Sequence, residues 1–244
     1  MDSQLASTEL AATKLELSVM DEPRISARTS RAIIAFVREH MGPAALSRVF
    51  QGLLVAPELE SLHYCYRGKA LDLAFFENAD NWVPNSLMQR LYRNLEREGV
   101  DAYELGFYAM NYGGRANQAL LMSLLQRFGV NKTLARAAQI NAHFNQTKHV
   151  SLRYIDDEAA IVRADYVAGV KHSAFITEFN LGAYAGILHF LRLEQIKCWI
   201  VADETEQEPG YSIIRARWKK PSYAQRLVYF FSLTNSKIKR YFSA

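Results

Sequence analysis

The groups of this chain that could do chemistry are six histidines, two cysteines and a few clustered carboxylates, and their spacing decides what they can do. His40, His63, His143, His149, His172 and His189 form no i, i+4 pair beside a carboxylate, the arrangement a helical zinc site needs. His143 and His149 stand six apart across a helix-to-strand junction, which gives no ligand geometry. Cys65 lies two residues from His63; on a strand the two share a face and an imidazolium would activate the thiol, whereas the plainer reading is a buried structural cysteine. Gly113-Gly114-Arg115 resembles an anion cradle, but an ordinary helix start after a permissive turn is the plainer reading. Asp203, Glu204, Glu206 and Glu208 could hold a cation or form a solvated hairpin tip, and the tip is the simpler expectation. There is no phosphate loop, no Gly-x-Ser-x-Gly elbow and no kinase signature. Spacing assembles no nucleophile-base or acid-base pair, so a non-catalytic protein without metal or cofactor is expected.

The aromatic residues are more informative. Trp82, Phe107, Tyr108, Tyr112, Tyr166, Phe175, Phe179, Tyr184 and Trp199 could line an apolar cavity with a few polar tips, or they could simply fill a core. Gly182 and Gly186 lie four apart on one helical face, where missing side chains admit another backbone or a ligand. The expected ligand-binding set is therefore Trp82, Tyr108, Tyr112, Tyr166, Phe179, Gly182, Tyr184, Gly186 and Trp199.

These residues must be positioned by an amino-terminal helical half and a carboxy-terminal half of strands. Ala32, Ile33, Phe36, Val37 and Met41 share a helical face until Gly42-Pro43 stops it, and Leu46, Val49, Phe50 and Leu53 mark a second short helix. The stretch 57–80 reads as loop with a helical turn or short strand. Pro84 opens a helix with Leu87, Met88, Leu91 and Leu95, and further helices are expected over 102–112, 115–128 and 131–144. At His149 the period becomes two: Val150, Leu152 and Tyr154 are expected on one face, Ser151 and Arg153 on the other. Asp156-Asp157-Glu158 turns the chain, and Ala160, Val162, Ala164 and Tyr166 return. A helix over 175–191 precedes a second hairpin, 196–203 and 211–218.

Length and composition bound the rest. The 244 residues, half of them hydrophobic, suffice for one large domain. The basic excess is confined to Arg215, Arg217, Lys219, Lys220, Arg226, Lys237, Lys239 and Arg240; the remaining 21 cations face 25 acids, a net −4, which weakens a nucleic-acid reading of the body. Residues 1–24 read as a mobile leader, 25–220 as the domain and 221–244 as a basic amphipathic helix. That helix could contact phosphate in nucleic acid or membrane, pair with its copy in a homodimer, or pack on its own domain. No apolar run is long enough to span a bilayer and no signal segment is evident, so a cytoplasmic location is expected.

Four motifs carry a resemblance: Asn81-Trp82-Val83-Pro84, Asn141-Ala142-His143-Phe144-Asn145, Asn180-Leu181-Gly182-Ala183-Tyr184-Ala185-Gly186-Ile187, and Trp218. In this order and spacing, over roughly 30–220, the chain resembles the four-vinyl-reductase-like sensor domains of bacterial signalling proteins. The resemblance implies an α+β fold, helices on an antiparallel sheet of two hairpins joined by a helix, and binding of a small apolar or aromatic molecule that signals through a dimer. Some relatives hold a structural zinc at places matching Thr177, Val201, Glu204 and Ser212; only Glu204 could ligate here, so the metal is not carried over. A protein-interaction module of the same fold without ligand is the alternative.

Overall fold

In a computed structural model the chain is described over residues 22–53, 71–112, 131–136, 141–204 and 208–220, with backbone alone at 65–66, 69–70 and 112. The amino-terminal part comprises β1 (Arg24–Ser26), α1 (Ala27–His40), α2 (Pro43–Val49), β2 (Cys65–Tyr66), β3 (Lys69–Ala70) and α3 (Leu73–Glu77). It continues through β4 (Trp82–Pro84), α4 (Asn85–Arg97) and α5 (Ala102–Tyr112). The carboxy-terminal part comprises β5 (Lys148–Ile155), β6 (Ala159–Tyr166), α6 (Ala174–Phe190), β7 (Glu194–Glu204) and β8 (Tyr211–Lys219). The expected α+β class is therefore the observed one. The expected 115–128 helix and the 221–244 tail lie outside the described residues, as do residues 1–21 of the expected leader; Arg24 already belongs to β1.

Local chemistry sets the helix ends. Ser26 caps α1 by accepting from Arg28 N, and Gly42, at φ +83°, lets its N–H reach Val37 O before Pro43 opens α2. Asp72 caps α3 and Ser173 caps α6 in the same way. The apolar stripes of α1 and α4 feed one core with Ile33, Val37, Met88, Leu91 and Leu95, all fully buried, and with Phe50 edge-on to Phe76. Leu87, expected inside, is half-buried, and the buried stripe of α4 runs instead through Met88, Leu91, Tyr92 and Leu95. Buried polar side chains tie the helices together: Ser30 donates to Phe76 O, Asn81 to Phe75 O and Asn94 to Val49 O.

The two hairpins form one antiparallel sheet in the order β5-β6-β8-β7. Its inner parity, Ala160, Val162 and Ala164 beside Ala216, Ile214 and Ser212, faces α6, while Arg215 and Arg217 point outward. One expectation fails here. Tyr154 does not share a face with Val150 and Leu152, because a bulge between Leu152 and Tyr154 inserts a residue and turns Tyr154 outward, where it is 48 % exposed opposite Ile161. A second, unexpected sheet pairs β1 with β4 and is extended by an Ile25 to Asn145 bridge. Its strands are three residues long, too short for an alternating pattern to reveal them.

Helix α6 lies between the sheet and α5, and its contact with α5 is at backbone range. A Cβ on Gly182 would stand 1.9 Å from Tyr103 O, and one on Gly106 2.0 Å from Phe179 O. Gly186 is less confined, its hypothetical Cβ meeting Met110 Cβ and Phe107 O at 3.0 Å. The glycine pair of the sequence thus admits another backbone. Gly182→Ala should accordingly destabilise the protein by about 3 kcal/mol or more and Gly186→Ala by about 1 kcal/mol, measured by urea denaturation; equal costs would contradict the seam.

Candidate functional site

The end of the sheet nearest the start of α6 carries a buried polar cluster. Asn145 begins its construction by accepting from the N–H and the hydroxyl of Thr147, while Gln146 N donates to Arg24 O and Val167 N to Thr147 O. This fixes Lys148 opposite Tyr166 in the β5–β6 ladder, with both side chains on the inner face. Lys148 is only 7 % exposed, and its Nζ donates to Asn180 Oδ1 on α6 at 2.5 Å. The amide of Asn180 donates in turn to Tyr166 Oη at 3.1 Å. The Tyr166 ring stacks on His172 at 3.9 Å. His172 Nε2 lies 2.8 Å from Asp203 Oδ1, and the Thr177 hydroxyl donates to the same oxygen at 3.0 Å. Ser212 pairs with Ala164 and with Asp203 in the neighbouring strands and is fully buried.

Burial dominates the electrostatics of this cluster. Loss of water pulls the Lys148 ammonium down from 10.5 to about 8. Among the described residues no carboxylate stands within ion-pair distance of its Nζ. Burial also holds the His172 imidazole below its ordinary value, against the opposing pull of Asp203, so their contact is a hydrogen bond from a neutral ring. The Tyr166 phenol is raised by the same desolvation, against smaller opposing pulls from Ser212 and Asn180 beside it. Two polar atoms of the cluster remain buried without a partner at hydrogen-bonding geometry, His172 Nδ1 and Ser212 Oγ. Such a set can bind and orient a polar group; no activated nucleophile is assembled in it.

The expected ligand-binding residues do not converge on one hollow. Trp82 is half-buried in β4 opposite Ser26. Tyr108 on α5 meets Phe36 and His40 edge-on at 5.3 and 5.4 Å. Phe179 tilts against Tyr92 at 5.9 Å, and Tyr184 is half-buried further along α6. Trp199 stands on the outer face of the sheet, 37 % exposed, beneath the Arg215 guanidinium at 5.6 Å. Of the set only Tyr166 joins the Asn180 cluster, Gly182 and Gly186 face α5, and the Tyr112 side chain lies outside the described residues. So do the side chains of His63 and Cys65, the Gly113-Gly114-Arg115 turn and Glu206.

Asp203, expected at a solvated tip, is instead bound to His172 and Thr177. The reason is that β7 carries it inward beside Ser212. Lys148, Asn180, His172, Thr177, Asp203 and Ser212 were all missed as a group. One signal was present: Lys148 occupies the inward parity of Val150 and Leu152, where a charge is out of place. Among the described residues no group of three His, Cys, Asp or Glu could hold a metal. On the outer face, a hollow of about 290 Å³ is lined by Tyr154, Asp156, Glu158, Ile161, Arg215 and Arg217. No helix among the described residues is long and apolar enough to cross a membrane.

No family model and no curated protein matches the chain. Solved H-NOX structures share its fold. A double mutant of the Tt H-NOX matches with TM-score 0.53 at 11 % identity, covering 82 % of this chain and 97 % of that one. A Cs H-NOX mutant with an unnatural amino acid gives 0.53 at 11 %, covering 82 % and 99 %. A structure from work on haem distortion in the H-NOX family gives 0.54 at 11 %, covering 82 % and 97 %. At this identity the likeness is one of fold. The described residues do not fit a haem. His143, His149 and His189 are exposed, His40 stacks on Phe36 with Nδ1 3.0 Å from Phe36 O, and His172 Nε2 is taken by Asp203 and Thr177. Cys198 is a thiol that burial pushes up to about 12.

The Lys148 environment gives a signed pH dependence. The unfolded chain holds the Lys148 proton up to 10.5 and the folded one only to about 8, so between these values the unfolded state binds more protons and stability rises with pH. The gap amounts to about 3 kcal/mol at most. Unfolding free energy should therefore increase from about pH 8 to about pH 9, where ionisation of the unfolded Cys198 thiol begins to oppose it, and Lys148→Met should abolish that rise, as measured by denaturation at several pH values.

Proposed function

We propose that this domain is a non-catalytic small-molecule sensor in which ligand binding biases the packing of α6 between α5 and the sheet. The observation that carries this reading is the polar cluster at the α6–sheet seam: a buried amine with one described hydrogen bond and two buried polar atoms with none. A ligand completing those bonds favours one packing over another, which is the requirement for signalling by population shift. The fold supports it, since the H-NOX structures of the same architecture include one described through its haem. In this chain the residues favour an organic molecule over a haem, with Tyr166 beside it. Trp82, Tyr108, Tyr112, Phe179, Tyr184 and Trp199 belong to the same ligand set only if the packing opens further. The finer reading, a distant four-vinyl-reductase-like domain that signals as a homodimer through its basic 221–244 segment, rests on the four sequence motifs.

A second reading has its own observation. Trp199, Ile200 and Val201 are exposed in succession on edge strand β7, and Tyr154 is exposed in the same outer row as Trp199, which suits a protein-interaction module. Native mass spectrometry of freshly purified protein separates the two. The sensor reading expects a retained small organic molecule, no metal and a dimer mass; a bare monomer would favour the interaction module.

A further inference from the structure

We infer that the ligand of this sensor carries an anionic head group, a carboxylate on an apolar body, and that Lys148 is its counter-charge. The inference rests on the sensor reading and names the chemistry of that same site. Lys148 is more than nine-tenths buried, and an ammonium in such a place is retained at large cost unless it meets an anion. Its one described partner, Asn180 Oδ1, is a neutral amide oxygen, which leaves two of three N–H donors for another acceptor. The protein is poorly placed to supply the missing charge. The sequence has no Asp or Glu between Glu104 and Asp156, the whole stretch leading into β5, and none after Glu208. Asp203, the carboxylate of the cluster, already accepts from Thr177 and His172.

Further groups are present for the same head. The Tyr166 hydroxyl accepts from Asn180, and the buried Ser212 Oγ, near enough to pull on the phenol, has no partner at hydrogen-bonding geometry. His172 Nδ1 is likewise unpartnered and gains a proton to donate if an arriving anion raises the affinity of the ring for it. Tyr166 belongs to the same apolar core as Phe175 and Tyr92, with Phe179 packed against it, so a packing that opens there would give apolar surface to the remainder of the molecule. Because Lys148 belongs to β5 and Asn180 to α6, an anion bound there acts on the joint between sheet and helix.

Isothermal titration of the full chain with benzoate and octanoate, and with benzamide and octanamide as neutral counterparts, tests the inference. Each carboxylate is expected to bind the native protein at least ~10-fold more tightly than its amide, and Lys148→Met, checked for folding by circular dichroism, to lose that advantage while still binding the amides. Should the variant not fold, the Lys148 titration followed by carbon-13 NMR in native protein serves instead: benzoate should shift it upward, and an unmoved titration overturns the inference. Equal binding of acid and amide to native protein and variant would overturn the anionic head and leave the sensor reading standing. No binding of any of the four, together with no molecule retained in native mass spectrometry, would overturn both.

Discussion

The constraint on which the rest of the structure depends is the backbone contact between α5 and α6. At Gly106 and Gly182 the two helices come so close that a methyl group on either would overlap a carbonyl oxygen of the other. Contact at that range is possible only where side chains are absent, and it leaves α6 no freedom to tilt toward α5. The opposite side of α6 must then meet the sheet at a fixed distance. Apolar side chains fill that interval at one end, where Leu188, Leu191 and Leu193 pack with Ala216 and Trp218. At the other end it is spanned by hydrogen bonds through Asn180, Thr177 and His172.

The two ends differ in physical character. The apolar end is self-sufficient, with Trp218 further pinned by its indole N–H donating to Asp157 O in the first hairpin turn. The polar end is incomplete, since its buried ammonium has no carboxylate within ion-pair distance among the described residues and two of its polar atoms are left unbonded. Buried polar groups in native proteins are almost always satisfied, so an incomplete cluster at a joint between layers is where an additional molecule has most to contribute. The H-NOX structures that share this fold include one described through its haem. The side chains at this seam suit hydrogen bonding and charge pairing more than axial ligation.

The four motifs that gave the resemblance turn out to be joints. Asn81 binds the α3 backbone and receives Ala27 N–H, so it holds β4 against α1. Phe144 O accepts from Ser26 and Asn145 caps Thr147, joining the helical half to the first hairpin. Asn180 and Gly182 secure the two sides of α6. Residues of this kind serve the joints of the fold, whatever the site holds.

The sequence by itself determined the elements whose signals are local. Helical stripes in α1 and α4, the stop at Gly42-Pro43, and the alternation of β6 and β8 all follow from period and turn chemistry within a few residues. Tertiary structure decided what depends on separate segments meeting. The β1–β4 pair joins strands of three residues that are far apart in the chain, and the bulge that turns Tyr154 outward has no composition of its own. The aromatic residues were legible as apolar bulk, but only packing sent Trp199 to the outer face and Tyr108 into the helical core. Lys148, Asn180, His172 and Asp203 come from separate elements or their flanks, and none carries a local pattern that names the others. Their cluster exists because side-chain direction in a strand is set by parity and in a helix by rotation, and only the assembled layers bring those directions to one point.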